Sequence, residues 1–139
     1  MAVAMTRLFL QPAPSGGKFQ KTETTILIIE DDTELLNLIK SILEDEGFKV
    51  LKALNGIEAL NIIENILPTI ILLDLRMPMM GGAEFINKLV ATGKRDYVTI
   101  ILFTAEHRAK DFAENLGADD CLIKPFNLMD LFKVIQKYI

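Results

Sequence analysis

Three adjacent acidic residues, Glu30, Asp31 and Asp32, directly follow the short apolar run 26–29. Carboxylates packed closely together repel one another, which raises their pKa values unless a cation lies between them. A hard divalent ion relieves that repulsion, and Mg²⁺ typically takes one or two carboxylates together with waters and phosphate oxygens. The acidic cluster therefore predicts a magnesium site that also handles phosphate.

Three more residues with suitable chemistry end apolar runs elsewhere in the chain. They are Asp74 after the run 70–73, Thr104 after the run 100–103, and Lys124 after the weaker strand 120–123. Each has an ordinary explanation by itself, since threonine favours strands and charged residues favour solvated loops. Lys124 precedes Pro125, and only before proline is a cis peptide bond cheap enough to aim a side chain routinely.

The elements that must position these residues alternate regularly. Continuous apolar runs rich in branched residues suit strands buried on both faces of a parallel sheet. Such runs lie at 26–29, 70–73 and 100–103, and two weaker strands lie at 49–53 and 120–123. The segments between and after them carry helical periodicity: residues 35–43, residues 59–66 with Pro68 as the stop, residues 83–91, residues 109–116, and residues 128–135 with Asn127 as the N-cap. The pattern predicts an open α/β sheet with helices on both faces. Ligands bind outside the carboxyl ends of such strands, so the carboxylates, the hydroxyl and the ammonium should converge.

Composition and length limit the classes of protein. The 139 residues suit one domain, and half of them are apolar. We expect no direct nucleic-acid contact, because the net charge is −4 and no basic stripe is present. We expect no membrane contact, because no apolar run approaches the roughly 20 residues of a membrane helix. One cysteine, Cys121, allows no internal disulfide and fits a reducing compartment such as the cytoplasm.

The first residues differ from the rest of the chain. Residues 11–17 read QPAPSGG, a composition typical of linkers. We interpret residues 1–22 as a flexible extension or linker and residues 23–139 as the folded domain.

Four motifs together resemble the receiver domain of two-component response regulators, including the chemotaxis regulators. They are ILIIEDD at 26–32, LLDLRMP at 72–78 with Gly82 shortly after, ILFTA at 101–105, and GADDCLIKPF at 117–126. The resemblance implies a flavodoxin-like, doubly wound sheet of five parallel strands in the order 2-1-3-4-5, with five helices on its two faces.

The resemblance also implies a role for each site residue. Asp74 matches the phosphorylated aspartate, and Thr104 and Lys124 match the groups that contact the phosphoryl group. The metal ligands would be Glu30, Asp31, Asp74 and the backbone carbonyl of Arg76, holding Mg²⁺ or Mn²⁺. Asp31 would bind the ion directly and Glu30 through water, although Asp32 could compete because adjacent strand-end side chains point in opposite directions.

As implied by the family, the phosphoryl donor is a phosphohistidine on a histidine kinase or phosphotransfer domain. The change would pass through Thr104, the following loop and Lys124 to the surface of the fourth helix, fifth strand and fifth helix, where an unknown downstream protein binds. The protein would be a monomer or weak homodimer. It would catalyse its own phosphoryl transfer and slow dephosphorylation without being a conventional enzyme.

Two features depart from the family pattern or tune it. Cys121 stands where the family usually has Tyr or Phe, so no aromatic ring can signal the phosphorylated state. We hypothesise that the backbone of the loop after Thr104 carries the signal instead. Arg76 and Glu106 lie two residues beyond Asp74 and Thr104. We hypothesise that they pair and hinder an attacking water, which would set the lifetime of the phosphoryl group; two unrelated surface charges are an equal alternative.

Four other interpretations of the sequence compete with a phosphorylated receiver. A phosphatase with an aspartate nucleophile needs a second Asp two residues later, where this chain has Arg76. A flavin carrier needs a phosphate loop rich in Ser, Thr and Gly after the first strand, where this chain has the acidic cluster. A degenerate receiver would act as a binding module without phosphorylation. A receiver domain excised from a hybrid histidine kinase would keep the same chemistry.

Overall fold

Short runs of branched apolar residues form the five strands of one parallel sheet. The computed structural model describes residues 24–77, 79–105 and 109–139. The strands are β1 (Thr25–Ile29), β2 (Lys49–Ala53), β3 (Ile70–Asp74), β4 (Thr99–Thr104) and β5 (Asp120–Ile123). Their order in the sheet is β2-β1-β3-β4-β5, all parallel, which confirms the predicted doubly wound topology.

Helices connect the strands at nearly the predicted positions. They are α1 (Thr33–Asp45), α2 (Gly56–Asn65), α3 (Gly82–Ala91), α4 (Ala109–Leu116) and α5 (Leu128–Gln136). A 3₁₀ turn, Arg95–Tyr97, precedes β4 and was not predicted. The apolar face predicted for the second helix included Ile66, but this was wrong: α2 ends at Asn65 and Ile66 is exposed. Pro68 disfavours helical dihedrals in the residue before it, so the helix cannot continue.

The alternation of side chains along each strand divides the core into two halves. Ile26 and Ile28 of β1 pack on one face of the sheet with α1 and α5. Leu27 and Ile29 pack on the other face with α2 and α3. Because successive residues point to opposite faces, the residue after β1, Glu30, continues the series toward α1 and α5. This alternation buries the side chain of Glu30 at the end of β1, whereas the next residue, Asp31, is exposed.

The start of α5 shows how local sequence fixes an element next to the site. The side chain of Asn127 accepts a hydrogen bond from the backbone N–H of Asp130, and the Asp130 carboxylate accepts one from the backbone N–H of Asn127. This reciprocal capping box satisfies two N–H groups that would otherwise lack partners at the helix start. The prediction of Asn127 as the N-cap is confirmed.

Loss of this cap should destabilise the domain. We expect Asn127→Ala to lower the free energy of unfolding by about 1 kcal/mol, because the first turn of α5 loses its side-chain acceptor. Urea denaturation followed by circular dichroism measures the change. Asn61→Ala, on the exposed side of α2, is the matched control and should not lower stability. Equal losses in the two variants would contradict the capping role.

The predicted extension, residues 1–22, lies outside the described residues, as does the next residue, Glu23. In the part of the chain that the structure describes, every helix is too short or too polar to cross a bilayer.

Candidate functional site

The carboxyl edge of the sheet brings the predicted site residues together. Asp74 is the last residue of β3, Thr104 is the last residue of β4, and Lys124 directly follows β5. Carboxylate oxygens of Glu30, Asp31 and Asp74 all lie within 4.8 Å of one another. Three converging carboxylates with oxygen donors of this spacing are chemically suited to a hard divalent cation.

Asp32 does not join this cluster, because it has a structural task. Its Oδ1 accepts hydrogen bonds from the backbone N–H groups of Glu34 at 3.1 Å and Leu35 at 3.2 Å, which makes it the N-cap of α1. This capping contact directs its side chain toward the start of the helix instead of toward the cluster. Of the two acidic residues that competed in the sequence, Asp31 is the one whose carboxylate faces the cluster.

Glu30 is the buried member of the cluster, with 1% of its surface exposed. Its Oε2 accepts the backbone N–H of Asp32 at 3.0 Å, and its Oε1 accepts a hydrogen bond from Lys124 Nζ at 2.9 Å. Burial by itself would raise the pKa of Glu30, but these hydrogen bonds and the charge of Lys124 outweigh it and hold the pKa below its usual value. Glu30 is therefore a fixed negative charge at the site.

Asp74 is also buried, with 6% of its surface exposed. Its Oδ1 accepts the backbone N–H of Arg76 at 3.3 Å, and its Oδ2 lies 3.7 Å from Lys124 Nζ. Burial, followed by repulsion from Glu30, raises the pKa of Asp74 to about 7. Without a cation at the site, the carboxyl is desolvated beside another negative charge, so its ionised form is disfavoured.

Asp31 completes the cluster from the solvent side. Asp31 is exposed, whereas Glu30 and Asp74 are buried, so solvent and a cation can approach the site from its side. Partial desolvation and a hydrogen bond with Glu30 raise its pKa above the ordinary value. The site thus has two carboxyls whose pKa values are raised, and a cation bound between them would favour the ionised form of both.

The hydroxyl and ammonium residues are coupled through the backbone. Thr104 is 2% exposed, and its carbonyl accepts the backbone N–H of Lys124 at 2.8 Å. Thr104 and Ile123 are register partners in β4 and β5, which sets Lys124 one residue beyond the end of the ladder. The Lys124–Pro125 peptide bond is cis. The two residues predicted to contact a phosphoryl group therefore share one corner of the sheet.

The close approach of α3 to the phosphoacceptor strand depends on Gly82. A Cβ at this position would lie 3.2 Å from Leu75 Cα and 3.3 Å from the Asp74 carbonyl oxygen. The backbone N–H of Gly82 also donates to the carbonyl of Leu75 at 3.0 Å. The glycine thus allows the start of α3 to pack closely against the backbone of Asp74 and Leu75. Its place in the sequence motif did not reveal this role.

The predicted tuning and switch residues have mixed outcomes. Arg76 is exposed at the rim, whereas its hypothesised partner Glu106 lies outside the described residues, so their pairing stays a prediction. Cys121 is half-buried in β5 with a free thiol. Burial, followed by the nearby charge of Asp120, raises the pKa of this thiol, which makes it a poor nucleophile.

Comparisons with known proteins agree with this geometry. The sequence pattern of the response regulator receiver domain matches residues 26–136. The chain belongs to this family. Receiver domains act in two-component signalling, and phosphorylation and Mg²⁺ are typical of them.

Individual relatives show how far the similarity extends. An uncharacterized 14.6 kDa protein of Leptolyngbya boryana is 36% identical over 115 residues, which cover 81% of this chain and 88% of that protein. A homolog of the transcriptional regulatory protein CpxR from Haemophilus influenzae is 39% identical over 113 residues, covering 80% of this receiver chain but 48% of that protein. The chain thus spans about half the length of the CpxR homolog.

A solved structure has the same fold. The response regulator TrrA of Thermotoga maritima, in complex with Mg²⁺ and BeF, superposes with a TM-score of 0.74 at 29% identity. The alignment covers 84% of this receiver domain chain and 99% of TrrA. The predicted family and fold are both confirmed.

Proposed function

We propose that this receiver domain is a phosphoryl-accepting switch in which Asp74 is the acceptor. The single observation that supports this most is the position of the Asp74 carboxylate. It lies in a cluster with Glu30 and Asp31 and 3.7 Å from Lys124 Nζ. An acyl phosphate needs positive charge around its oxygens, and phosphoryl transfer asks a protein mainly for positioning and charge neutralisation.

The donor set fits Mg²⁺, with Mn²⁺ as a substitute. Asp31, Asp74 and the backbone carbonyl of Arg76 would hold the ion directly, and Glu30 would act through water. This assignment agrees with the contacts of Glu30, because both of its oxygens already accept hydrogen bonds from the protein. When bound, the ion would neutralise charge on the carboxylates and on the incoming phosphoryl oxygens. The Mg²⁺–BeF complex of TrrA, a protein of the same fold, supports the proposal.

The side chains of this protein then have distinct tasks. One carboxylate oxygen of Asp74 forms a bond to phosphorus while the bond from phosphorus to the donor nitrogen breaks, and the donor imidazole leaves. The N–H of Arg76 orients the carboxylate through Oδ1. Lys124 supplies a point charge and Thr104 a hydrogen-bond donor to the phosphoryl oxygens. The donor is a phosphohistidine on a histidine kinase or phosphotransfer protein.

The signal leaves the site through the corner that Thr104 and Lys124 share. A movement of Thr104 toward the phosphoryl group would displace β4 and the loop after it. It would also reach Lys124, because the carbonyl of Thr104 accepts a hydrogen bond from the Lys124 N–H. The change then reaches the surface formed by α4, β5 and α5. Cys121 has no ring to reorient, so the backbone of this corner carries the relay to the downstream protein.

The proposal is tested with acetyl phosphate as a small donor. With Mg²⁺ present, intact mass spectrometry should show that the wild-type chain gains one phosphoryl group, and Asp74→Asn should gain none. Asp32→Asn is the control, because it removes a neighbouring carboxylate that caps α1 and leaves the cluster intact. Beryllofluoride with Mg²⁺ should shift the NMR signals of Thr104 and Lys124. A wild-type chain that takes no phosphoryl group would overturn the proposal.

A further inference from the structure

The ammonium of Lys124 has three neighbours, and one of them is an aromatic ring. Nζ lies 2.9 Å from Glu30 Oε1, 3.7 Å from Asp74 Oδ2 and 4.9 Å from the centroid of the Phe103 ring, over which it sits. The Lys124 side chain retains only 25% exposure, so water is largely excluded from this contact. A cation within about 6 Å of a ring centroid is attracted by the ring quadrupole, and more strongly when water is excluded.

The register of the sheet places the ring there. Phe103 is the partner of Asp74 in β3 and of Leu122 in β5. Paired residues of neighbouring strands point to the same face, so the ring lies on the side of the sheet toward which Asp74 points. Phe103 is 1% exposed and meets Phe126 edge to face, with centroids 6.3 Å apart and an interplanar angle of 81°. The position of the ring is therefore fixed from several sides.

We infer that Phe103 is a positioning residue for phosphoryl transfer. Its ring holds the Lys124 ammonium beside the phosphoacceptor Asp74 through a cation–π contact. This inference rests on the proposed function. A third carboxylate in place of the ring would add negative charge and compete for the ammonium. A ring attracts the cation over its whole face without a directional acceptor, so the ammonium can turn from Glu30 toward phosphoryl oxygens while staying in place.

Fluorinated phenylalanines separate this role from simple core packing. Each added fluorine weakens the ring quadrupole while the apolar volume stays nearly constant. With 4-fluoro-, 3,5-difluoro- and 3,4,5-trifluorophenylalanine at position 103, the rate constant of Asp74 phosphorylation by acetyl phosphate at saturating Mg²⁺ should fall stepwise, by about fivefold in total. NMR should show ring-shifted Lys124 side-chain signals in the wild type, and this shift should be lost in Phe103→Leu.

Phe85 is the matched control, because it is fully buried in the half of the core on the opposite face of the sheet. The same fluorinated residues at Phe85 should leave the rate constant unchanged. A flat series at Phe103, or equal losses at both positions, would overturn the inference while the proposed function stands. If the wild type itself takes no phosphoryl group, the failure lies with the proposed function, and the Lys124 signals still decide whether the ring holds the ammonium.

Discussion

Asp74→Asn should make the protein more stable than the wild type when no divalent cation is present, by roughly 1–3 kcal/mol at pH 8. The reason is the repulsion at the carboxyl edge of the sheet. Asp74 is buried beside Glu30, whose charge is fixed by its hydrogen bonds to Lys124 and the backbone. Asparagine removes one negative charge from this desolvated cluster and keeps the side-chain size. For a domain of this length the midpoint of thermal unfolding should rise by roughly 5–10 °C.

The pH dependence has a definite sign. The pKa of Asp74 rises from its ordinary value of 3.8 to about 7 on folding. Between these two values the unfolded chain has released its proton and the folded chain keeps it, so the stability of the wild type falls as pH increases through this window. The advantage of Asp74→Asn should therefore be absent below pH 4 and complete above pH 7.

Differential scanning calorimetry across this pH range, with a chelator present, measures the effect. Asp96→Asn makes the same chemical change at an exposed position in the 3₁₀ turn and should alter the midpoint little. Added Mg²⁺ should stabilise the wild type and do much less for Asp74→Asn, since binding to the folded state raises stability only where the site is intact. A variant less stable than the wild type at pH 8 would contradict the role of repulsion.

The sequence was sufficient for the architecture of this domain because its signals are local. Branched apolar runs and stop residues define β1, β3 and β4 almost to the residue. Parallel strands with right-handed crossovers have one ligand-binding edge, so the convergence of Asp74, Thr104 and Lys124 followed from topology. The unpredicted 3₁₀ turn, Arg95–Tyr97, has tertiary contacts instead: Arg95 donates to the carbonyl of Gly117 and to the carboxylate of Asp119.

The site itself depended on facts that sequence spacing does not carry. Asp31 and not Asp32 joins the cluster because the side chain of Asp32 is used as the N-cap of α1. The Lys124 ammonium lies nearer to Glu30 than to Asp74, because the longer side chain of Glu30 reaches it across the sheet edge. The raised pKa of Asp74 follows from burial, and the position of the Phe103 ring beneath Lys124 follows from strand register. Both exist only in the folded chain.

The raised pKa of Asp74 has a second consequence, because only the ionised carboxyl can attack phosphorus. In low Mg²⁺, the rate of phosphorylation by excess acetyl phosphate should rise about tenfold per pH unit up to about pH 7 and then level off. At saturating Mg²⁺ the levelling point should move down by at least one pH unit. Protons and the cation compete for the same carboxylates, and metal binding requires the deprotonated form.

Direct titration separates this effect from any titration of the donor. The carboxyl carbon of Asp74, labelled with ¹³C, should titrate with a midpoint near pH 7 in the absence of divalent cations and at a clearly lower pH with Mg²⁺. Asp32→Asn should keep both midpoints, because Asp32 serves the α1 cap and not the cluster. Glu30→Gln should lower the midpoint measured without Mg²⁺. Repulsion from Glu30 is the second cause of the raised pKa, after burial, and the substitution removes it. A midpoint near pH 4 in the metal-free wild type would mean that solvent reaches Asp74 far more freely than its 6% exposure allows.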